Sequence, residues 1–160
     1  MKEGENVVKE IVQFFLSGKK YAVELKNMQG IENYSPIAEV SDATEAMLGV
    51  VTIRGEIIPV INIRECLNLQ PAPVTEATKY VVLRTSYGKM ALVADDVGDI
   101  SRLSEEDSKD CPFLIQGSET GYVSFVARDG HNLILVINPD KLISENDWKS
   151  IRSKIEDMEE

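Results

Sequence analysis

The chain repeats itself, and that feature limits its folds more than any other. Tyr21-Ala22-Val23-Glu24-Leu25-Lys26-Asn27-Met28-Gln29-Gly30-Ile31 lies over Met90-Ala91-Leu92-Val93-Ala94-Asp95-Asp96-Val97-Gly98-Asp99-Ile100 with apolar positions coinciding nearly throughout, at an offset of 69. The turn dipeptides Arg54-Gly55 and Asp129-Gly130 correspond at an offset of 75. Each half therefore reads as strand, turn, strand, strand, a less regular stretch and a strong hairpin. About five strands per half suffice to close a small barrel, which hides edges that would otherwise recruit other chains. The expected fold is mainly β, with two five-stranded barrels, short helices and a C-terminal helix.

Local chemistry agrees with this plan. Ile11-Val12-Gln13-Phe14-Phe15-Leu16 is rich in β-branched and aromatic residues, and residues 21–25 return across Ser17-Gly18-Lys19-Lys20 as a hairpin. A strand is expected at 31–34, and a short helix at 43–47. The strongest hairpin runs through Val50-Val51-Thr52-Ile53, turns at Arg54-Gly55 and returns through Glu56-Ile57-Ile58-Pro59-Val60-Ile61. Gly55 tolerates the positive φ of a tight turn, while Pro59 lacks an N–H and marks an edge or a bulge. A helical turn is expected at 64–67 and a connector at 70–74. Strands then recur at 80–84, 90–94, 97–103, 122–127 and 132–137. Glu105-Glu106-Asp107 reads as a solvated helical turn. Ser144 is an N-cap, and Trp148, Ile151, Ile155 and Met158 form one apolar helical face. That stripe reads first as packing against the protein's own barrels. The expected organisation is a flexible segment 1–8, barrels at roughly 9–74 and 78–143, and a helix at 144–160.

The side-chain inventory argues against catalysis. Catalysis calls for a tuned acid, base, nucleophile or metal, and the chain has a single histidine, His131, which follows the expected hairpin turn Arg128-Asp129-Gly130. No zinc-ligand spacing, phosphate-binding glycine loop or nucleophile elbow occurs. Asp95 and Asp96 are adjacent, so on a strand they point to opposite faces and cannot easily share a proton. No enzyme activity, cofactor or metal is expected. A net charge of −10 repels phosphate backbones and anionic lipid, so nucleic acid and bare membrane are poor partners. Cys66 and Cys111 are read as reduced thiols. No signal-peptide pattern or bilayer-length apolar run is present. A binding protein of the cytoplasm is the expectation.

The segment Gly49-Val50-Val51-Thr52-Ile53-Arg54-Gly55-Glu56-Ile57-Ile58-Pro59-Val60-Ile61-Asn62-Ile63-Arg64 resembles the signature of the CheW family: a glycine, two apolar residues, usually Asn, an apolar residue, Arg-Gly, and a strand ending Pro-Val with a polar residue. The resemblance continues through residues 91–100 and through 125–142. It implies a pair of SH3-like five-stranded barrels. It also implies an adaptor coupling methyl-accepting chemoreceptor tips to the regulatory domain of the histidine kinase CheA, at receptor arrays on the membrane. The alternative within the family is a scaffold paralogue serving array localisation or a non-motility two-component pathway. Thr52 and Asn62 depart from the usual Asn and Asp. Gly30 stands where the family often has a glutamate that pairs with the signature arginine, leaving Glu32 as a substitute partner for Arg54.

Carried over by position, the resemblance places receptor contacts at Leu25, Met28, Gly49, Arg54, Val97 and Ile100, in a groove between the barrels. Met28 would be an adaptable apolar contact, Gly49 would admit the partner's backbone, and Arg54 would donate hydrogen bonds. Val40 and Met47 are the kinase-side candidates. Core packing is the competing reading for the apolar members of both sets.

Overall fold

Each sheet takes strands from both halves of the chain. The structure, a computed structural model, describes residues 7–104, 108–110, 121–129 and 132–159. In the first half, β1 (Val7–Leu16), β2 (Lys19–Glu24) and β3 (Met28–Asn33) precede the hairpin β4 (Met47–Ile53) and β5 (Glu56–Ile61), then the short helix α1 (Ile63–Cys66). The second half repeats this with β6 (Lys79–Thr85), β7 (Gly88–Ala94) and β8 (Asp96–Ser104), a short β9 (Ser108–Asp110), the hairpin β10 (Val123–Asp129) and β11 (Asn132–Ile137), and a 3₁₀ turn at Pro139–Lys141. Helix α2 (Glu145–Glu159) follows.

The strand orders are β8-β1-β2-β11-β10-β9 in one sheet and β3-β6-β7-β5-β4 in the other. The repeat is visible in them: β8, β1, β2, β11 and β10 occupy the places of β3, β6, β7, β5 and β4. The parallel junctions agree to within one residue, since Val136 faces Ala22 and Ile61 faces Leu92. The third strand of each half crosses to the other half's sheet, β3 pairing with β6 and β8 with β1. The sheets therefore do not coincide with the halves 9–74 and 78–143 as the repeat suggested. One sheet also gains a sixth strand, β9, for which the sequence offered no signal.

Among the described residues, pairing does not close either sheet into a full barrel. In the five-stranded sheet, the link after β3 curls back so that Ala38 exchanges two 2.9 Å backbone hydrogen bonds with Val50, covering the outer edge of β4. Tyr80 anchors this link: it stacks on Tyr34 at 5.2 Å, and its hydroxyl donates to the Ser35 carbonyl. Burial, then the neighbouring Tyr34, push the Tyr80 phenol up to about 12.

Three apolar clusters result. Ile11, Ala22, Leu103, Phe125, Ala127, Ile134 and Val136 fill the curl of the six-stranded sheet. Val51, Ile58, Val60, Tyr80, Val82 and Ala91 fill the other. A larger cluster, including Phe14, Leu16, Leu83, Met90 and Leu92, joins the two sheets. Trp148 and Ile151 of α2 enter that shared core, and Trp148 stacks on Tyr87 at 5.7 Å. Ser144 caps α2 by accepting from the Asp147 N–H at 3.1 Å.

The helix expected at 43–47 does not form. Asp42 takes a φ of 59°, and Met47 is already paired with Ile61 in β4. Thr44 accepts the Ala46 N–H through its hydroxyl, in a turn that competes with helix. The first strand begins at Val7, opposite Ser104, within the segment 1–8 that was expected to be flexible. Pro59 lies in an inner strand, opposite Val50, just before β5 begins to pair with β7 at Val60. One flank of β5 is thus still open where the N–H is missing. Residues 105–107, Cys111 and His131 lie outside the described residues.

Candidate protein-binding surface

The signature hairpin places its arginine in solvent. Arg54 and Gly55 both have positive φ, 54° and 82°, the pair of values a two-residue turn needs to match the twist of β4 and β5. The Arg54 side chain is 82 % exposed, and its Nη2 lies 3.2 Å from Oε2 of Glu32 on β3. Glu32 thus takes the place of the partner missing at Gly30. A Cβ added at Gly30 would meet only Glu32 Oε2, at 3.8 Å, an ordinary contact, so the ion pair does not depend on glycine there. Beside this pair lies a depression of about 320 Å³, bounded by Gln29, Glu32, Arg54, Glu56 and Lys89. Lys89 pairs with Glu56 at 2.8 Å and Arg84 donates to Gln29 at 2.9 Å.

The other receptor-side candidates are distributed around the crossings between sheets. Leu25 opens the 3₁₀ turn Leu25–Asn27, which carries the chain from β2 in one sheet to β3 in the other. Met28 follows it, half-buried against the shared core and opposite Leu83. Its counterpart in the repeat is Val97, half-buried against the same core at the reverse crossing, opposite Phe14. Ile100 is 54 % exposed on the six-stranded sheet. Its counterpart Ile31, which the resemblance did not single out, is also exposed. The repeat itself was the signal that could have found it. The structure thus gathers Leu25, Met28 and Val97 at the crossings. It sets Arg54 and Ile100 on different sheets.

Gly49 has a different neighbour from the one expected. It is buried, and a Cβ there would come within 2.2 Å of the Ala38 carbonyl oxygen and 2.7 Å of an Ile37 methyl. The backbone it admits is this chain's own. Of the kinase-side candidates, Met47 is core, 6 % exposed, and Val40 is half-buried against the shared core. More accessible apolar surface lies beside them. Leu48 and Val74 are exposed at the rim of a groove of about 300 Å³ whose walls include Ile37, Leu69 and Val93. Leu48 alternates with core residues along β4, so sequence alone offered it only as an outward-facing position.

A polar node ties the sheets together behind these surfaces. Arg64 of α1 donates to Asp95 Oδ1, to Ser17 Oγ at 2.8 Å and to the Gln70 carbonyl at 2.9 Å. Asp95 also accepts the Ser17 N–H at 2.8 Å, while Asp96 accepts the Val97 N–H. The adjacent carboxylates therefore have separate partners. Burial raises the Asp95 carboxyl pKa. Hydrogen bonds from Arg64 and Ser17, with the arginine's charge, outweigh that and leave it below the usual carboxylate range. Ser86, the repeat counterpart of Ser17, donates its N–H to Asp140 at 3.0 Å. Asn62 and Asn138 cap the helical turns that follow the two hairpins, accepting from Glu65 N–H and Asp140 N–H. An aspartate at 62 would serve equally, which makes that departure conservative.

Among the described residues, no group of His, Cys, Asp and Glu is placed to hold a metal ion, and no helix is long and apolar enough to cross a membrane. Burial raises the Cys66 thiol pKa, with Glu65 and Asp147 adding to it, so that thiol is poorly suited to act as a nucleophile.

The family model of the CheW-like domain matches residues 10–147. A chemotaxis protein CheW from Klebsiella aerogenes is 25% identical over 144 residues, covering 90% of this chain and 87% of the relative. One from Treponema pallidum is 24% identical over 146 residues, covering 89% and 86%. The crystal structure of a scaffolding protein, TtCheW from Thermoanaerobacter tengcongensis, superposes with a TM-score of 0.78 at 21% identity, covering 87% of this chain and 94% of that one. At that identity the structural likeness speaks for the fold.

Proposed function

The chain belongs to the CheW-like family of adaptors, and from that we propose that it couples the cytoplasmic tips of chemoreceptors to the histidine kinase CheA. The observation that carries the reading is the signature hairpin. Its arginine is presented in solvent by a left-handed turn, oriented by Glu32 and 82 % exposed among the described residues. A side chain so held is suited to donating to a carbonyl or carboxylate of a docked helix.

The output of such a protein is affinity, not reaction. Arg54 and Ile100 are exposed enough to touch a receptor tip, with the half-buried Leu25, Met28 and Val97 lending apolar area at the crossings. Gly49 and Met47 are buried, so they act by shaping the β3–β4 link and the start of β4. The kinase domain would meet the neighbouring surface around Val40, Leu48 and Val74. Two modest surfaces on one rigid body let both partners be held at once. The protein would work in the cytoplasm, drawn to membrane arrays by its partners.

Titration of the full chain against a CheA regulatory domain by calorimetry, with and without a receptor signalling tip, tests this. Binding to each partner, and a ternary complex, is expected. Absence of heat with either partner would overturn the reading.

A further inference from the structure

The two halves of this chain complete one another. Four ladders cross between them: β3 with β6, β8 with β1, β2 with β11, and β5 with β7. Neither half holds all the strands of a sheet. A single segment joins them, and residues 70–76 of it are all exposed and lie in no helix or strand. Pro71 and Pro73 hold their own φ near about −65° and bias Gln70 and Ala72 toward extended backbone. The segment is therefore a stiff spacer, drawn back at its start by the bond from Arg64 to the Gln70 carbonyl.

We propose that this chain forms a reciprocal dimer with a second copy of itself by exchanging halves across residues 70–76. Every ladder between halves is met by the same residue pairs whether the halves belong to one chain or two. Only the course of the spacer has to change. What favours the closed monomer is the high effective concentration of tethered halves, so exchange gains with protein concentration. Each lobe of the dimer is a whole two-sheet unit. On the adaptor reading above, the dimer would present each docking surface twice. The exchange itself does not depend on that reading.

The test uses the full chain with Cys66→Ser and Cys111→Ser. One preparation adds Glu10→Cys and the other Arg102→Cys. These positions face each other in the β1–β8 register, and both side chains are exposed. The two are mixed, unfolded in guanidinium, refolded together at high concentration and oxidised. A disulfide-linked dimer containing one chain of each is expected. Light scattering should show a dimer fraction that rises with refolding concentration. The same mixture without unfolding should stay unlinked. Monomer alone at every refolding concentration would overturn the proposal. So would a dimer whose chains fail to link, while a single chain carrying both cysteines links internally.

Discussion

Glu32 Oε2 lies 3.2 Å from Arg54 Nη2, reaching from β3 to the β4–β5 turn on the same sheet. The arginine side is 82 % exposed, so the pair contributes at most about 1 kcal/mol to stability. Its consequence is orientation. Arg54→Ala should leave the thermal melt unchanged and reduce receptor-stimulated kinase activity several-fold. Glu32→Ala should share part of that loss, because it frees the arginine to sample other rotamers. A normal melt with undiminished kinase coupling in Arg54→Ala would remove this residue from the proposed surface.

Two signature glycines should respond differently to alanine. At Gly49 an added Cβ meets the Ala38 carbonyl oxygen at 2.2 Å, so the β3–β4 link must move. The cost should be about 2 kcal/mol or more, in the upper range of overpacking effects. At Gly55 nothing lies within 4 Å, and only the φ of 82° resists. Gly55→Ala should cost about 1 kcal/mol. Urea unfolding of both variants checks the order, and equal midpoints would show that the link yields freely.

The Arg64–Asp95 node should leave a signature in acid. The folded-state pKa of Asp95 is depressed. Its contribution is therefore complete above the unfolded value of about 3.9 and fades as pH falls through the lower folded value. Asp95→Ala should cost about 1.5–3 kcal/mol near pH 7, as expected for hydrogen bonds to a charged group. The gap to wild type should narrow below about pH 4. Chemical unfolding across that range would reveal it, and a gap independent of pH would mean that the carboxylate's charge is not what matters.

Trp148 is 2 % exposed, and its Nε1 has no hydrogen-bond partner among the described residues. Trp148→Ala should destabilise by about 3–5 kcal/mol through the cavity it opens under α2. Trp148→Phe keeps an aromatic ring against Tyr87 and removes the unpaired donor. It should cost far less, about 1 kcal/mol. Comparable losses for the two would mean that the indole nitrogen has a partner after all.

Most strands were readable in the amino-acid order because their signals are local. Arg54-Gly55 forces its turn wherever the hairpin sits, and the continuous apolar runs of β6 and β7, Tyr80–Leu83 and Met90–Ala94, mark strands covered on both faces. The exposed state of Arg54 follows from that turn. The segment 43–47 misled because short helix and turn differ little in local preference, and the pairing of Met47 with Ile61 is a contact fourteen residues away. Gly49 was legible as a position requiring glycine. Its neighbour Ala38 was not, because close approach is decided by how the β3–β4 link folds back.

The order of residues alone determined that the chain is built twice, that each half carries a three-strand run and a strong hairpin, and that the signature arginine stands at a tight turn. Those follow from side-chain periodicity and backbone dihedrals, which act over a few residues. Tertiary structure alone decided that third strands cross to the opposite sheet, that Gly49 meets Ala38, and that Arg64 binds the sheets through Asp95. Strand exchange buries the same apolar faces as uncrossed pairing would. Only the competition among long-range ladders, summed over the whole core, chooses between them.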